Sequence, residues 1–332
     1  MPYIDPTSTI QKLEEMGAKK ILLQLPDGLK PHVFDYFTAL SRKFSVIISS
    51  QPFYGACDIG NREVYDDVDC IVQFGHSEIP NVPYPKPMIF EEYRQNRVVE
   101  FDPEIFEPIR KSGYSRVGLL ASIQYIDTLE NARRSMEKSG FEVKIGKNDA
   151  RLNYPGQVLG CNFSAAHSVS AKVDCFLVIS TGKFHSTGVQ LSTDLETFLL
   201  DLNEMKISSM KQETERFLRR RYAVLSKAQN ARKFCVVMDT KIGQRRSSLT
   251  RVIAENIREM GGQAVIVSTD DIRPSDYENM MCDAVVFTGC PRVPIDDWEK
   301  FSVPIMTPPE FQWLFGIKKQ SRYIMDEIVT VD

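Results

Sequence analysis

KFCVVMDTKIG (residues 233–243) opens the stretch whose reading decides the fold. Its apolar run from Phe234 to Met238 has the length of a buried strand, and Gly243 marks the turn that ends it. From Ser247-Ser248 onward, Leu249, Val252, Ile253, Ile257 and Met260 recur at helical spacing until Gly261-Gly262 stops them. A second strand-like run follows, QAVIVST (263–269), and then a third, AVVFTGCPRVP (284–294), which again runs into a glycine turn. Strand, helix, strand, connection, strand is the order of a right-handed parallel α/β unit.

The same order occurs twice upstream. KKILLQLPDGL (19–29), FSVIISS (44–50) and CIVQFGHSEIP (70–80) supply the strands of one copy. SRVGLLASI (115–123), a helix over about 127–139 stopped by Gly140, FEVKIG (141–146) and CFLVISTGKFHSTG (175–188) supply another. The expected fold is therefore α/β, with three repeated small parallel-sheet domains of about one hundred residues each. The expected divisions are 1–105, 106–207 and 208–332, the last opening with a long linking helix over 208–233. Ligands of such sheets gather beyond the carboxyl ends of the strands. The turns there are Gly75-His76-Ser77, Thr181-Gly182-Lys183 and Thr288-Gly289-Cys290, and packing around a common axis brings them together.

Composition narrows the function. Hydrophobic residues are 42% and charged residues 26% of 332, the profile of a globular chain. A net charge of -3 offers no global basic excess for nucleic acid. No apolar run reaches the roughly 18 residues that cross a bilayer, and the first residues lack a signal-peptide pattern, so the expected setting is cytoplasmic. No GxxxxGK[ST], HExxH or GxSxG motif occurs.

Seven cysteines in such a chain are expected to be core residues, reactive thiols or metal ligands rather than disulfides. Cys70, Cys175, Cys235 and Cys282 lie in apolar, β-branched stretches and read as small buried hydrophobes. Cys57 (YGACDIG), Cys161 (LGCNFS) and Cys290 (TGCPR) lie beside glycine in turns, where the backbone passes close to a bulky ligand. These three stand 104 and 129 residues apart, so no compact finger or CxxC hairpin is possible. Soft thiolates suit iron–sulfur chemistry. A 4Fe-4S cluster is normally held by four cysteines, and three leave one iron open to a substrate. The residues alone thus point to an enzyme with a site-differentiated cluster at a three-domain junction.

The ordered set PDGL (26–29), YGACD (54–58), GHSEIP (75–80), LGCN (159–162), TGKFHSTG (181–188), RRRYAVLSKAQNARKF (219–234), DTKIGQRR (239–246) and TGCPR (288–292) resembles the diphthamide biosynthesis radical enzymes in their archaeal-type homodimeric form. The resemblance spans essentially the whole chain and places the family's cluster cysteines at Cys57, Cys161 and Cys290. It implies a 4Fe-4S cluster, S-adenosylmethionine as cosubstrate and an electron donor. It also implies transfer of a 3-amino-3-carboxypropyl radical to C2 of a histidine in translation elongation factor 2. A homodimer, with no membrane and no direct nucleic-acid contact, belongs to the same expectation.

Candidate contacts to S-adenosylmethionine are Gln244 after a turn glycine, Gly182, His185 and Gly188 in the second domain's turn, and Arg292 two residues past Cys290. Arg245 and Arg246 precede a helix, where anions are favoured, although a solvated arginine is the commoner outcome. Asp27 reads as a helix cap, and Arg219-Arg220-Arg221 as a solvated face or a docking surface for the elongation factor. Two rival functions remain at this stage. One is a quinolinate synthase-like 4Fe-4S enzyme that condenses and dehydrates without S-adenosylmethionine; the other is a non-catalytic, cluster-bearing partner subunit.

Overall fold

The structure, a computed structural model, describes residues 3–95 and 101–332. Lys20–Gln24 (β1), Ser45–Ile48 (β2), Cys70–Phe74 (β3) and Met88–Glu91 (β4) make a parallel sheet in the order β2-β1-β3-β4. Arg116–Ala121 (β5), Glu142–Lys144 (β6), Cys175–Ile179 (β7), Thr197–Asp201 (β8) and Lys206–Ser209 (β9) make the second, in the order β6-β5-β7-β8-β9. Only the β8–β9 pair in it is antiparallel. Lys233–Asp239 (β10), Gln263–Thr269 (β11), Ala284–Phe287 (β12) and Ile305–Met306 (β13) form the third, parallel in the order β11-β10-β12-β13.

The threefold repeat follows from the apolar runs. β3, β7 and β12 are buried along their whole length because chain covers both faces of each sheet. Register then aligns apolar side chains: Leu23 lies opposite Ile48 and Val72, Leu119 opposite Leu177, and Val236 opposite Ile266 and Val286. The second sheet has separate cores on its two faces, one around Leu119 and Leu177, the other around Phe176 and Val178. The sequence reading did not mark β4, β13 or the β8–β9 hairpin. Two to five residues beside prolines or turn residues carry too little periodicity to stand out.

The linking helix runs Lys211–Ala228, shorter than the expected 208–233, because Ser208 and Ser209 pair with β8 as part of β9. Phe217, Leu225 and Ala228 face the core. Arg221 does too, against the reading of a solvated run. Its guanidinium is 1% exposed, binds both Glu310 carboxylate oxygens at 2.7 Å, and donates to Pro294 O and Ile305 O. A buried charge persists only when paired and hydrogen-bonded in this way. Arg219, at 78% exposure, keeps the solvated character. Asp27 pairs with Lys30 at 2.7 Å instead of capping, and the following turn (Lys30–His32) has no side-chain cap.

Residues 320–332 have no regular structure, yet they return across the second domain. Tyr323 packs edge-on against Phe217 and joins the core that holds Val178. Ile328 N donates to Cys161 O at 2.8 Å, and the Asp332 carboxylate caps Ser248 N. The apolar residues of this strap, Tyr323, Met325 and Ile328 among the buried ones, follow neither helical nor strand spacing, so it carried no signature in the sequence.

Candidate metal centre at the junction of the three sheets

Each candidate cysteine is fixed by its backbone as well as by its turn. The residues after β10 dock on Cys57: Gly243 N donates to Cys57 O at 2.9 Å, and Gln244 Nε2 reaches its Sγ at 3.3 Å. A Cβ on Gly243 would lie 2.4 Å from Cys57 Cα, so only glycine permits this approach. Cys161 sits in the tight turn closed by reciprocal Leu159–Asn162 hydrogen bonds, with the C-terminal strap bonded to its carbonyl. Cys290 follows β12. Arg246 holds that turn by donating to Thr288 O (2.6 Å) and Gly289 O (3.0 Å).

The three thiols come from three different sheets and act on one another electrostatically. Burial pushes the Cys57 thiol up to about 12, with Cys161 adding to the rise. Burial likewise raises Cys290, and both other cysteines contribute. Cys161 is also raised by burial, offset by the charges of Arg151 and Arg246. Buried neutral thiols that would repel one another as thiolates form a site completed by positive charge, and metal binding would expel their protons. Cys70, Cys175, Cys235 and Cys282 are buried among strand residues, as the apolar context implied.

Arg151 is the residue the sequence reading missed. It is 0% exposed, donates through Nη2 to Gly243 O at 2.6 Å, and leaves buried Nε and Nη1 without a partner. A buried guanidinium with free N–H groups, whose charge lowers both Cys57 and Cys161, is set to face an anionic group. Nothing in KNDARLNY distinguishes it from a surface arginine. Arg246, expected at a solvated or anion-binding position, is instead buried in a pair with Asp326 (2.7 Å), which ties the strap to the Cys290 turn.

The remaining candidates fall on one side of this junction, except Gln244. Its amide is turned to the Cys57 sulfur. Arg292 stacks on Phe184 (4.0 Å), binds Asp296 (2.6 Å) and packs against Gly160, and its backbone N–H faces Cys290. His185 and Gly188, expected in a turn, lie instead in the first turns of the helix Phe184–Thr193, and His185 has a buried Nδ1 with no partner. Burial first, and then the Arg292 charge, lowers His185 to about 4. Gly182 adopts φ +75 in open space. Gly188 is required by packing, since a Cβ would lie 2.2 Å from Phe163 Cζ, and it lines a cavity of about 320 Å³ with Lys183, Thr187 and Arg220. A second cavity of about 270 Å³ opens beside Cys57, between Asp58, Tyr65, Lys241 and Asp270.

The donor set fits an iron–sulfur cluster. Among the described residues no three His, Cys, Asp or Glu side chains could share a single metal ion. Three thiols that act on one another suit thiolate ligation of a cluster, and the Arg151 N–H groups without partners suit its negative charge.

A sequence model described as a putative diphthamide synthesis protein matches residues 25–324. A 2-(3-amino-3-carboxypropyl)histidine synthase of Pyrococcus horikoshii is 32% identical over 98% of this chain and 94% of its own. The Methanocaldococcus jannaschii enzyme of the same name is 25% identical over 98% and 93%. The crystal structure of Dph2 from Pyrococcus horikoshii with a 4Fe-4S cluster superposes with a TM-score of 0.89, at 30% identity, over 100% of this chain and 96% of that one.

Proposed function

Since the chain belongs to the diphthamide synthesis family, we propose that it is a 4Fe-4S and S-adenosylmethionine-dependent transferase that places a 3-amino-3-carboxypropyl group on a histidine of translation elongation factor 2. The observation that carries this reading is the mutual electrostatic contact of Cys57, Cys161 and Cys290 from three sheets, with the buried Arg151 guanidinium acting on Cys57 and Cys161. A reduced cluster bound there would supply the one electron needed to cleave the bond from the sulfonium to the γ-carbon, with methylthioadenosine and the aminocarboxypropyl radical as the products of that cleavage.

The chain's own residues do the rest. Cys57, Cys161 and Cys290 would hold the cluster; Gln244 favours the thiolate of Cys57, Arg151 those of Cys57 and Cys161, and Arg292 that of Cys290. Arg292, the turn at Gly182 and the helix that follows it with His185 and Gly188 border the same junction and are the proposed contacts to the cosubstrate. The apolar wall of Phe163 and Phe184 limits water on that side. Between the two cluster-enzyme families set out from the sequence, the match over residues 25–324 favours diphthamide synthesis over quinolinate synthesis. A non-catalytic subunit is disfavoured by the three cysteines together with full-length likeness to a synthase.

Anaerobic reconstitution with iron and sulfide should give brown protein. Dithionite and S-adenosylmethionine should then yield methylthioadenosine, and label should pass to elongation factor 2; 5′-deoxyadenosine as the main product would overturn the bond assignment. The reading includes a cytoplasmic setting, an electron donor and a homodimer. The exposed apolar edge strand β11, with Val265 54% and Ile266 44% exposed, supports pairing with a second copy. Sedimentation of Ile266→Lys should then shift to monomer.

A further inference from the structure

The third sheet holds a group of sulfur atoms away from the three cysteines of the junction. Cys235 lies on β10 and is fully buried. Its Sγ donates to Met280 Sδ at 3.7 Å, and Cys282, whose thiol donates to Tyr277 O at 3.5 Å, lies in the same buried cluster. Met280 and Cys282 follow the helix Pro274–Asn279, separated by Met281, which adopts a left-handed φ of 52. That position normally takes glycine or asparagine. Here an unbranched side chain occupies it, and the turn puts Met280 and Cys282 on one side. Cys282 is 7% exposed and Met280 48%, so the sulfurs run from the core to the surface.

We propose that Cys235, Met280 and Cys282 form a second, mononuclear site for a soft monovalent cation of the Cu(I) class. Two thiolates and a thioether are the ligand set that such an ion prefers, whereas zinc takes nitrogen and thiolate ligands in fours. Metal–thiolate bonds of about 2.3 Å in a trigonal plane put ligand sulfurs about 4 Å apart. The Cys235–Met280 separation of 3.7 Å is already close to that. Binding forms metal–sulfur bonds, and both thiol protons pass to solvent. The exposed Met280 gives the ion its way in. The site stands independently of the reading of the three-sheet junction.

The test is anaerobic competition of the full chain with bicinchoninate for Cu(I), on protein with the loaded cluster and on a Cys57→Ala/Cys161→Ala/Cys290→Ala chain. Both should take one copper per chain, with an all-sulfur first shell by X-ray absorption, and the loaded protein should keep its iron. Cys282→Ser should abolish the stoichiometric copper, and Met280→Leu should weaken it at least tenfold. Met280 is half-exposed, so Met280→Leu remains informative if Cys235→Ser or Cys282→Ser fails to fold. Copper uptake unchanged in Cys282→Ser, nitrogen in the first shell, or copper taken only at the cost of iron would overturn the proposal.

Discussion

Gly243→Ala tests the junction at a single carbon atom. The added Cβ would sit 2.4 Å from Cys57 Cα, 2.6 Å from its Cβ and 3.1 Å from its O. Carbon atoms pack at about 3.5–4.0 Å, so Cys57 must retreat by about 1 Å. Residue 243 cannot yield easily, since its N–H is tied to Cys57 O and its carbonyl to Arg151. Overpacking of this kind costs about 1–3 kcal/mol, which the fold should survive. Ligand distances in metal sites hold to within about 0.2 Å, so a shift of about 1 Å would remove one of the three proposed ligands. The expected result after anaerobic reconstitution is a folded protein with little bound iron and sulfide and a bleached visible band. Gly28→Ala, in open space, should reconstitute as the parent does. Full iron content and an unchanged spectrum in Gly243→Ala would refute the contact between the two loops as the device that positions Cys57.

Replacing Cys57, Cys161 or Cys290 by Ala should prevent cluster assembly, whereas Cys70→Ala and Cys175→Ala should retain it at some loss of thermal stability; iron analysis of each separates the two classes. Arg151→Gln removes a buried positive charge beside Cys57 and Cys161 and should make the bound cluster harder to reduce, read as a more negative midpoint in an EPR redox titration. His185 is held down to about 4 by burial, so the folded state gives up proton binding that the unfolded chain gains near its ordinary value of about 6.5. Stability from this group is complete above that value and is lost as pH falls toward 4, and His185→Gln should flatten that part of a thermal-melt pH profile.

The candidate cluster ligands stood out in the sequence because two independent signals coincided. Cys57, Cys161 and Cys290 sit beside glycines in turns, and those turns recur in a repeated strand–helix–strand frame. The charges were legible only in part. Arg219 is solvated as a basic run implies, while its neighbour Arg221 turns inward to Glu310, a partner 89 residues away. Helical phase alone did not announce that, because burial of an arginine depends on whether a distant carboxylate waits for it.

The α/β class, the three copies and the sorting of the cysteines were therefore set by local order: apolar runs of strand length, helical spacing and glycine turns. The tertiary structure alone decided the meeting of the β10 loop with Cys57, the return of residues 320–332 to Cys161, and the sealing of Arg151 and Arg246 around the thiols. Those contacts join residues from about 80 to nearly 190 positions apart. Periodicity reports only which face of an element is apolar, whereas such contacts depend on how whole sheets pack, so nothing within one segment encodes its partner.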